Sequence, residues 1–377
     1  MRVLAIEPYF GGSHRAFLKG WETHSVHDFT IVDLPAFHWK WRMRHSAITL
    51  ADEVNRLASQ GERWDVIFCS DMLNLAEWKG LVDSQVASLP KVLYFHENQL
   101  TYPSQQPREW DYHFAFSNFT SAIAADEIWY NSRFNETEFL RELDAFLHRM
   151  PDFQPSHHIP LLREKSSIQP PGVDSVFANQ LEEEATDLNT SGSPLVVTWA
   201  ARWEHDKDPE TFFKAIRLAI TNGVNLRLRV LGESFKNQPP VFGLAKQEFA
   251  TYIDEFGYAE SQSQFVELMQ STDVFVSTAI HEFFGISAVE AALAGAYPLL
   301  PQRLAYPEVF DLEENPDRQK FFYGGTAESL ALALGRCHDL KKAGTLSTGN
   351  LKVQLQRYTW PNRAPIMDEA IAKLAHK

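Results

Sequence analysis

The chain has 377 residues, more than one ordinary core needs and enough for two domains. Hydrophobic residues make up 44%, and 27 Phe, 11 Tyr and 10 Trp supply both core volume and flat surfaces for bases and sugars. Two cysteines outside any C-x-x-C pair suggest neither zinc nor a disulfide framework. No apolar run has membrane-span length, and a net charge of −14 argues against broad nonspecific nucleic-acid binding, though a local basic patch remains compatible with it.

Met1 leads straight into a strand without a signal-peptide cleavage region, so a reduced, cytoplasmic compartment is the expectation. Strands are predicted at Arg2–Ile6, Phe29–Leu34, Asp65–Cys69, Lys91–Phe95 and Glu127–Tyr130, as short β-branched or aromatic runs ended by turn residues. Between them, Ala47–Leu57 and Tyr112–Ala125 carry helical spacing. Met150–Pro171, with five prolines, reads as a break, and the acidic Leu181–Pro194 stretch as a linker. The pattern then restarts. Strands are predicted at Leu195–Ala200, Leu226–Leu231, Val274–Ser277 and Tyr297–Leu300, and helices at Pro209–Ile220, Ser287–Ala294, Ala327–Leu334 and Asp368–Ala375. Repeated βα units imply an α/β protein with two Rossmann-like, doubly wound parallel-sheet domains facing a central cleft. The expected division is 1–180, a linker at 181–194, 195–355, and a C-terminal helix within 356–377 packing back on the first domain.

Four stretches fall where such strands end. Gly11-Gly12-Ser13-His14 follows the first strand. A glycine pair there lets the backbone approach a ligand, although it is not GxGxxG and a tight turn would explain it too. Tyr94 to Pro103 reads YFHENQLTYP and clusters polar groups at a strand's carboxyl end. His96 could there bond a sugar hydroxyl or accept a proton. Leu100 occupies the position of the second histidine of HExxH, which removes a zinc protease. Arg202 and Lys207 share one βα loop, where two cations can hold a diphosphate. The plain alternative is a charged surface loop. Asp206-Lys207-Asp208 in that loop matches DxD, which can bind Mg²⁺ or Mn²⁺, but Pro209 follows and Asp208 reads as a helix cap, so no metal is expected. Finally, Glu282 and Glu290 are separated by seven residues in EFFGISAVE. Gly285 permits close approach, and the helix start beyond it suits a diphosphate. Glu290 can accept bonds from a ribose diol and Glu282 from sugar hydroxyls. Two solvated carboxylates on an amphipathic helix would also account for the spacing.

Glu282, Glu290, Arg202 and Lys207 together resemble the donor half of retaining GT-B glycosyltransferases of family 4. The stretches Gly11–His14, Leu34-Pro35-Ala36 through His38–Arg42, His96–Gln99 with Tyr102-Pro103, and Asn131–Asn135 resemble the tRNA-queuosine α-mannosyltransferase family. The resemblance spans nearly the whole chain. It implies a GT-B fold, GDP-mannose as co-substrate, and the cyclopentenediol of queuosine in tRNA-Asp as acceptor. It also implies front-face transfer with retention, the donor phosphate helping to take the acceptor's proton and no protein nucleophile required. Catalytic roles then fall to His96 and Glu282. Donor contacts fall to Gly12, Arg202, Lys207, Phe284, Gly285 and Glu290, and acceptor contacts to His14, Lys40, Trp41, Arg42, Arg44, Asn98, Gln99 and Tyr102. His205-Asp206 stand before Lys207 where family-4 loops often carry glutamate.

A tRNA acceptor needs cations for phosphates and flat rings for bases. His38 to His45, HWKWRMRH, alternates both, against the alternative of a loop whose tryptophans pack while its cations stay solvated. Two other functions fit parts of the pattern. One is a family-4 transferase acting on a lipid or soluble sugar, for which no basic amphipathic helix of convincing length is visible. The other is a non-catalytic nucleotide-sugar or RNA binding protein, against which the complete set of charged residues argues.

Overall fold

In the computed structural model, the described residues are 1–101, 112–178, 192–233 and 238–376. They form two compact units, Met1–Gly172 with Trp360–Lys377, and Val173–Thr359.

The first unit is built on six parallel strands, β1 (Arg2–Phe10), β2 (Asp28–Pro35), β3 (Val66–Ser70), β4 (Lys91–Phe95), β5 (Glu127–Tyr130) and β6 (Ser166–Ile168), ordered 2-1-3-4-5-6. Strands buried on both faces carry unbroken apolar runs, because alternate side chains enter two different cores. Leu4, Ile6, Ile67 and Leu93 meet helices Trp39–Ser59, Tyr112–Ala124 and Arg133–Leu147 through Leu50, Phe119 and Phe139. Val3, Ala5, Phe68 and Tyr94 meet Phe17 and Trp21 of helix Gly12–His24, together with Trp360, Met367 and Ile371 of helix Trp360–Ala375. The C-terminal helix thus completes the first unit's second face. Its Asp368 is buried and accepts bonds from Trp21 Nε1 (2.7 Å), Ser25 Oγ (2.7 Å) and Val26 N–H (2.8 Å). Trp360 lies so close to Gly20 and Gly172 that a Cβ on either would sit 2.1 Å from its ring.

The second unit repeats the plan with β7 (Leu195–Ala200), β8 (Leu226–Leu231), β9 (Ile253–Gly257), β10 (Val274–Val276), β11 (Tyr297–Pro301) and β12 (Phe322–Tyr323), all parallel and ordered 12-11-10-7-8-9. In each sheet the chain reverses its direction of travel at one point, between β1 and β3 and between β7 and β10. Doubly wound sheets open a crevice at the carboxyl edge there.

Three features differ from the sequence reading. Strands β6, β9 and β12 went unpredicted. Met150–Pro171 is not simply a break, since it contains helix His158–Glu164 and β6, which pairs with β5. The segment from Trp39 to Arg44 is not loop but the opening of helix Trp39–Ser59. The stretch 179–191, covering most of the expected linker, lies outside the described residues.

Candidate active-site constellations

At the switch point of the first sheet, β1, β3 and β4 deliver three polar groups to one place. Glu7 projects from β1 and is fully buried. Its Oε1 accepts from Ser70 Oγ and from Tyr9 N–H, both at 2.9 Å, and its Oε2 faces His14 Nδ1 at 3.1 Å. Gly11 and Gly12 make this approach possible. A Cβ on Gly11 would stand 2.4 Å from Ala36 Cβ, while Gly12 has φ +49° and opens the helix that carries His14. That helix has no side-chain cap, so its first N–H groups are offered outward. The His14 ring lies against His96, with centroids 3.9 Å apart and planes 32° apart. His96 N–H donates to Asp71 Oδ1 at 2.9 Å, and Asp71 is itself fully buried.

The charges in this cluster are set by one another. Burial alone would lower the His14 pKa, but Glu7, with lesser help from Asp71 and Glu97, raises it to about 9. Burial, then the charge on His14, holds His96 well below the usual histidine range. Burial likewise lifts Asp71 to about 8. Glu7, His14 and His96 each have a ligand-type atom within 4.8 Å of the others, a spacing a metal ion could use. The two rings pack against each other at a tilt, and Glu7 Oε2 lies in contact with His14 Nδ1.

Beneath it, asparagines tie the strand ends together. Asn98 Nδ2 donates to Asn135 Oδ1 (3.0 Å), and Asn98 Oδ1 accepts from Thr101. Asn131 Nδ2 donates to the His96 carbonyl (2.8 Å), and Asn135 Nδ2 to Asn131 Oδ1 (3.0 Å). Asn98, predicted to touch an acceptor, is fully buried and spends its amide on this scaffold. Gln99 is almost as buried, its N–H held by Asn118. Tyr102 lies outside the described residues.

The predicted aromatic and basic stretch divides by side. Trp39 and Met43 pack inward with Met72, Phe114 and Tyr9. Trp41 is 61% exposed and Phe37 65%, with Lys40 and Arg44 exposed beside them. Arg42 is committed, its Nε donating to the Pro35 carbonyl (3.0 Å) and its guanidinium meeting His45 (2.9 Å). Arg44 lies over the Phe114 ring at 4.8 Å.

In the second unit, the loop after β7 and the turn after β10 converge. Lys207 Nζ donates to the His281 carbonyl (2.9 Å) and lies 3.2 Å from both Glu282 Oε2 and Asp206 Oδ2. Burial opposes the charge on each partner, yet the pairing wins. Lys207 is raised, and Glu282 is lowered with a further bond from Phe284 N–H. Arg202 is half-exposed, 3.3 Å from Glu204. Asp208 adopts φ +49° and its carboxylate caps helix Pro209–Thr221 by accepting from Thr211 N–H (3.2 Å), as its sequence position suggested. The Phe284 ring packs edge-on to Tyr358, so only its backbone faces Glu282. Gly285, φ +92°, heads helix Ile286–Leu293, and a Cβ there would stand 2.6 Å from the Tyr306 ring. Glu290 extends from this helix half-buried. Burial, then Asp174, raises its pKa to about 8.

Comparison with known proteins covers both units. Residues 2–173 match the family described as tRNA-queuosine alpha-mannosyltransferase N-terminal, and residues 181–337 match glycosyl transferases group 1. The chain is 33% identical over 324 residues to the tRNA-queuosine alpha-mannosyltransferase of Drosophila melanogaster, covering 82% of each chain. The chain belongs to the tRNA-queuosine alpha-mannosyltransferase family. It is a glycosyltransferase. It is also 27% identical over 165 residues, 42% of each chain, to the GDP-mannose:cellobiosyl-diphosphopolyprenol alpha-mannosyltransferase of Xanthomonas campestris. Among solved structures, Anabaena HepE in complex with UDP aligns with a TM-score of 0.71 at 14% identity, covering 99% of this chain and 100% of that one. Sucrose-phosphate synthase from Thermosynechococcus elongatus aligns with the same score and identity, covering 99% of each. These likenesses establish the GT-B fold. Among the described residues no helix is long and apolar enough to cross a membrane.

Within this family member, the structure gathers His14 and His96 into one cluster, and Lys207 and Glu282 into another with Glu290 on the adjoining helix. Sequence reasoning missed Glu7 and Asp71. Both left a trace, a carboxylate inside the apolar run Val3–Tyr9 and another directly after Val66–Ser70.

Proposed function

We propose that this glycosyltransferase moves mannose from GDP-mannose to queuosine in tRNA-Asp, with retention of configuration and without a metal ion. One observation carries the donor half of the reading. Of the two glutamates flanking the turn after β10, Glu282 is held charged by Lys207, while the Glu290 carboxylate has no hydrogen-bond partner among the described residues. The first suits hexose hydroxyls and the second a ribose diol, with the cations of Lys207 and Arg202 on the diphosphate. Mannose and its GDP carrier are supported by the names of the two relatives, and queuosine by the Drosophila relative. His96 serves the transferred sugar, and the exposed Trp41, Lys40 and Arg44 serve the RNA.

In the reaction, the bond from the anomeric carbon to the donor phosphate oxygen breaks. A bond from that carbon to the acceptor oxygen forms on the same face. The acceptor's proton passes to the departing phosphate, and GDP leaves. Asp206 is engaged with Lys207 and Asp208 caps a helix, which supports chemistry that does not use the DxD match for a metal.

The test is transfer of labelled mannose from GDP-mannose to tRNA from queuosine-replete and queuosine-deficient cells, with and without EDTA. Label only in the replete sample, undiminished by EDTA, is expected. No label in either would overturn the donor or acceptor assignment and direct attention to lipid or soluble sugar acceptors. Loss in EDTA that Mg²⁺ restores would overturn the metal-free reading.

A further inference from the structure

The buried cluster at the β1/β3 switch point contains more ionisable groups than the proposed reaction uses. The proposed reaction uses only His96 of these, and His14, expected from the sequence to touch the acceptor, is instead buried around it with Glu7 and Asp71. Burying several charges is costly unless they are paired. The groups face one another in order. Glu7 Oε2 lies 3.1 Å from His14 Nδ1, the His14 ring packs tilted by 32° against the His96 ring, and His96 Nε2 is buried with no hydrogen-bond partner among the described residues. The other faces of the His96 ring are closed by Phe17 edge-on at 5.1 Å and Tyr94 edge-on at 4.7 Å, with the Tyr94 hydroxyl turned away to the Gln169 carbonyl. The backbone N–H of His96 is held by Asp71 and its carbonyl by Asn131, so its place on the chain is fixed.

We infer that Glu7 and His14 are positioning residues for His96: the imidazolium of His14, anchored by Glu7, stacks on the His96 ring and keeps it an uncharged hydrogen-bonding group for a substrate hydroxyl. This rests on the reading that His96 meets the transferred sugar. A cation packed against a second imidazole at a centroid distance of 3.9 Å disfavours a second proton there, because two like charges would share one buried pocket. The groups acting on His14 are Glu7 from β1, Asp71 after β3 and Glu97 after β4. The charged group acting on His96 is His14 from the first helix. Glu7 outweighs the burial that opposes a proton on His14, while burial and then His14 disfavour one on His96. The arrangement also explains why Gly11 and Gly12 precede His14: the turn must be tight enough to lay that ring over the end of β4.

The arrangement is tested on the full chain by nuclear magnetic resonance of selectively labelled histidine rings, titrated in EDTA so that no ion competes, with signals assigned through H96N. In the parent protein His14 is expected to stay protonated through neutral pH and His96 to stay neutral down to the acid limit of folding. In His14→Gln, His96 takes up its proton at higher pH. Glu7→Gln acts in the same direction, because His14 then loses its proton more readily. Thermal melts identify any variant that fails to fold, and the two variants back each other. The rate profile should follow: kcat/KM of His14→Gln falls about tenfold from pH 8 to pH 6 where the parent is flat, with the donor KM little changed. An unchanged His96 titration in a folded His14→Gln would overturn the proposal. A shifted titration with an unshifted rate profile would support the pairing and overturn the role of His96 in the reaction. The ring titration needs no substrate, so the two failures are separable.

Discussion

Each unit sets a cation against a carboxylate where strands of its parallel sheet end, Lys207 with the partly exposed Glu282 in the second and the buried His14 with Glu7 in the first. The two pairs differ in how durable the charge is. An ammonium paired with two carboxylates stays charged across the whole physiological range, which suits a fixed electrostatic contact to a diphosphate. An imidazolium depends on its carboxylates to keep its proton, so the first centre is sensitive to pH and to the loss of either partner. One centre is built for binding strength, the other for holding a neighbouring ring in one protonation state.

The largest effect should come from breaking the second pair. Glu282→Gln is expected to lower turnover by roughly 10²–10³-fold, the scale of a lost charge-stabilising contact, while melting close to the parent because Asp206 still pairs with Lys207. Lys207→Met should lose turnover and also about 3 kcal/mol of stability, since it leaves the buried Asp206 and the partly exposed Glu282 together without their cation. Single-turnover assays and denaturant melts on both variants check this. Near-parental turnover in Glu282→Gln would remove that residue from the site.

The difference between the centres also governs what could be read beforehand. The second centre joins two loops distant in sequence, but each loop carries a local pattern of its own, Arg202 with Lys207 and Glu282 with Glu290. The first is assembled across three strands, and Glu7, Asp71 and His96 are far apart in sequence, so no local pattern links them. The strands divide similarly. β4, β5, β7 and β8 lie where the apolar runs placed them, residue for residue. The three missed strands, β6, β9 and β12, are all sheet edges. β6 is Ser166-Ser167-Ile168 and β9 mixes Asp254 and Glu255 into its run, because an edge buries less and need not be apolar. Helix Trp39–Ser59 was read to begin eight residues late, at Ala47. It starts after His38, which has φ +50° and makes no side-chain cap, so the usual start signal is missing. The C-terminal helix was read short because Pro361 and Pro365 resemble breakers; Pro361 lies in the first turn, where a proline is tolerated, whereas Pro365 lies inside the helix.

A smaller effect separates the centres by pH. Below about 6.5, His14 is protonated folded or unfolded. Between there and about 9, the folded chain keeps a proton that the unfolded chain has released. That stability is complete below the lower value and is lost as pH rises through the upper one, on the order of 3 kcal/mol in all. Asp71, raised to about 8, has the same sign: the folded state holds the carboxyl proton, so its contribution also declines as pH rises. Melting temperature should therefore fall from pH 6.5 to 9, and His14→Gln should flatten that slope. Lys207→Met should leave the slope intact even as it lowers the whole curve. A parental slope in His14→Gln would mean that His14 is not charged in the folded state.

The smallest expected effect concerns the exposed face of helix Trp39–Ser59, and it asks whether this face serves the RNA or only the fold. Arg42 is a poor probe, because removing it also breaks its bonds to the Pro35 carbonyl and His45. Trp41 and Lys40 are cleaner, since Trp41 is 61% exposed and Lys40 is exposed beside it. Losing one ring that stacks on a base costs about 1–3 kcal/mol, so Trp41→Ala should raise the KM for tRNA by about tenfold. Lys40→Glu should weaken tRNA use as well and reduce its salt dependence, because a phosphate contact then becomes a repulsion. Donor KM and melting temperature should hold in both, since neither side chain is part of the first unit's buried core or of the Lys207 centre. If donor KM rose with Trp41→Ala, the face would belong to the sugar site. If neither KM moved, the acidic chain would have to meet its RNA elsewhere. The two variants thus separate an RNA surface from a structural helix by kinetics alone, with the Lys207 centre as the internal reference that neither substitution should disturb.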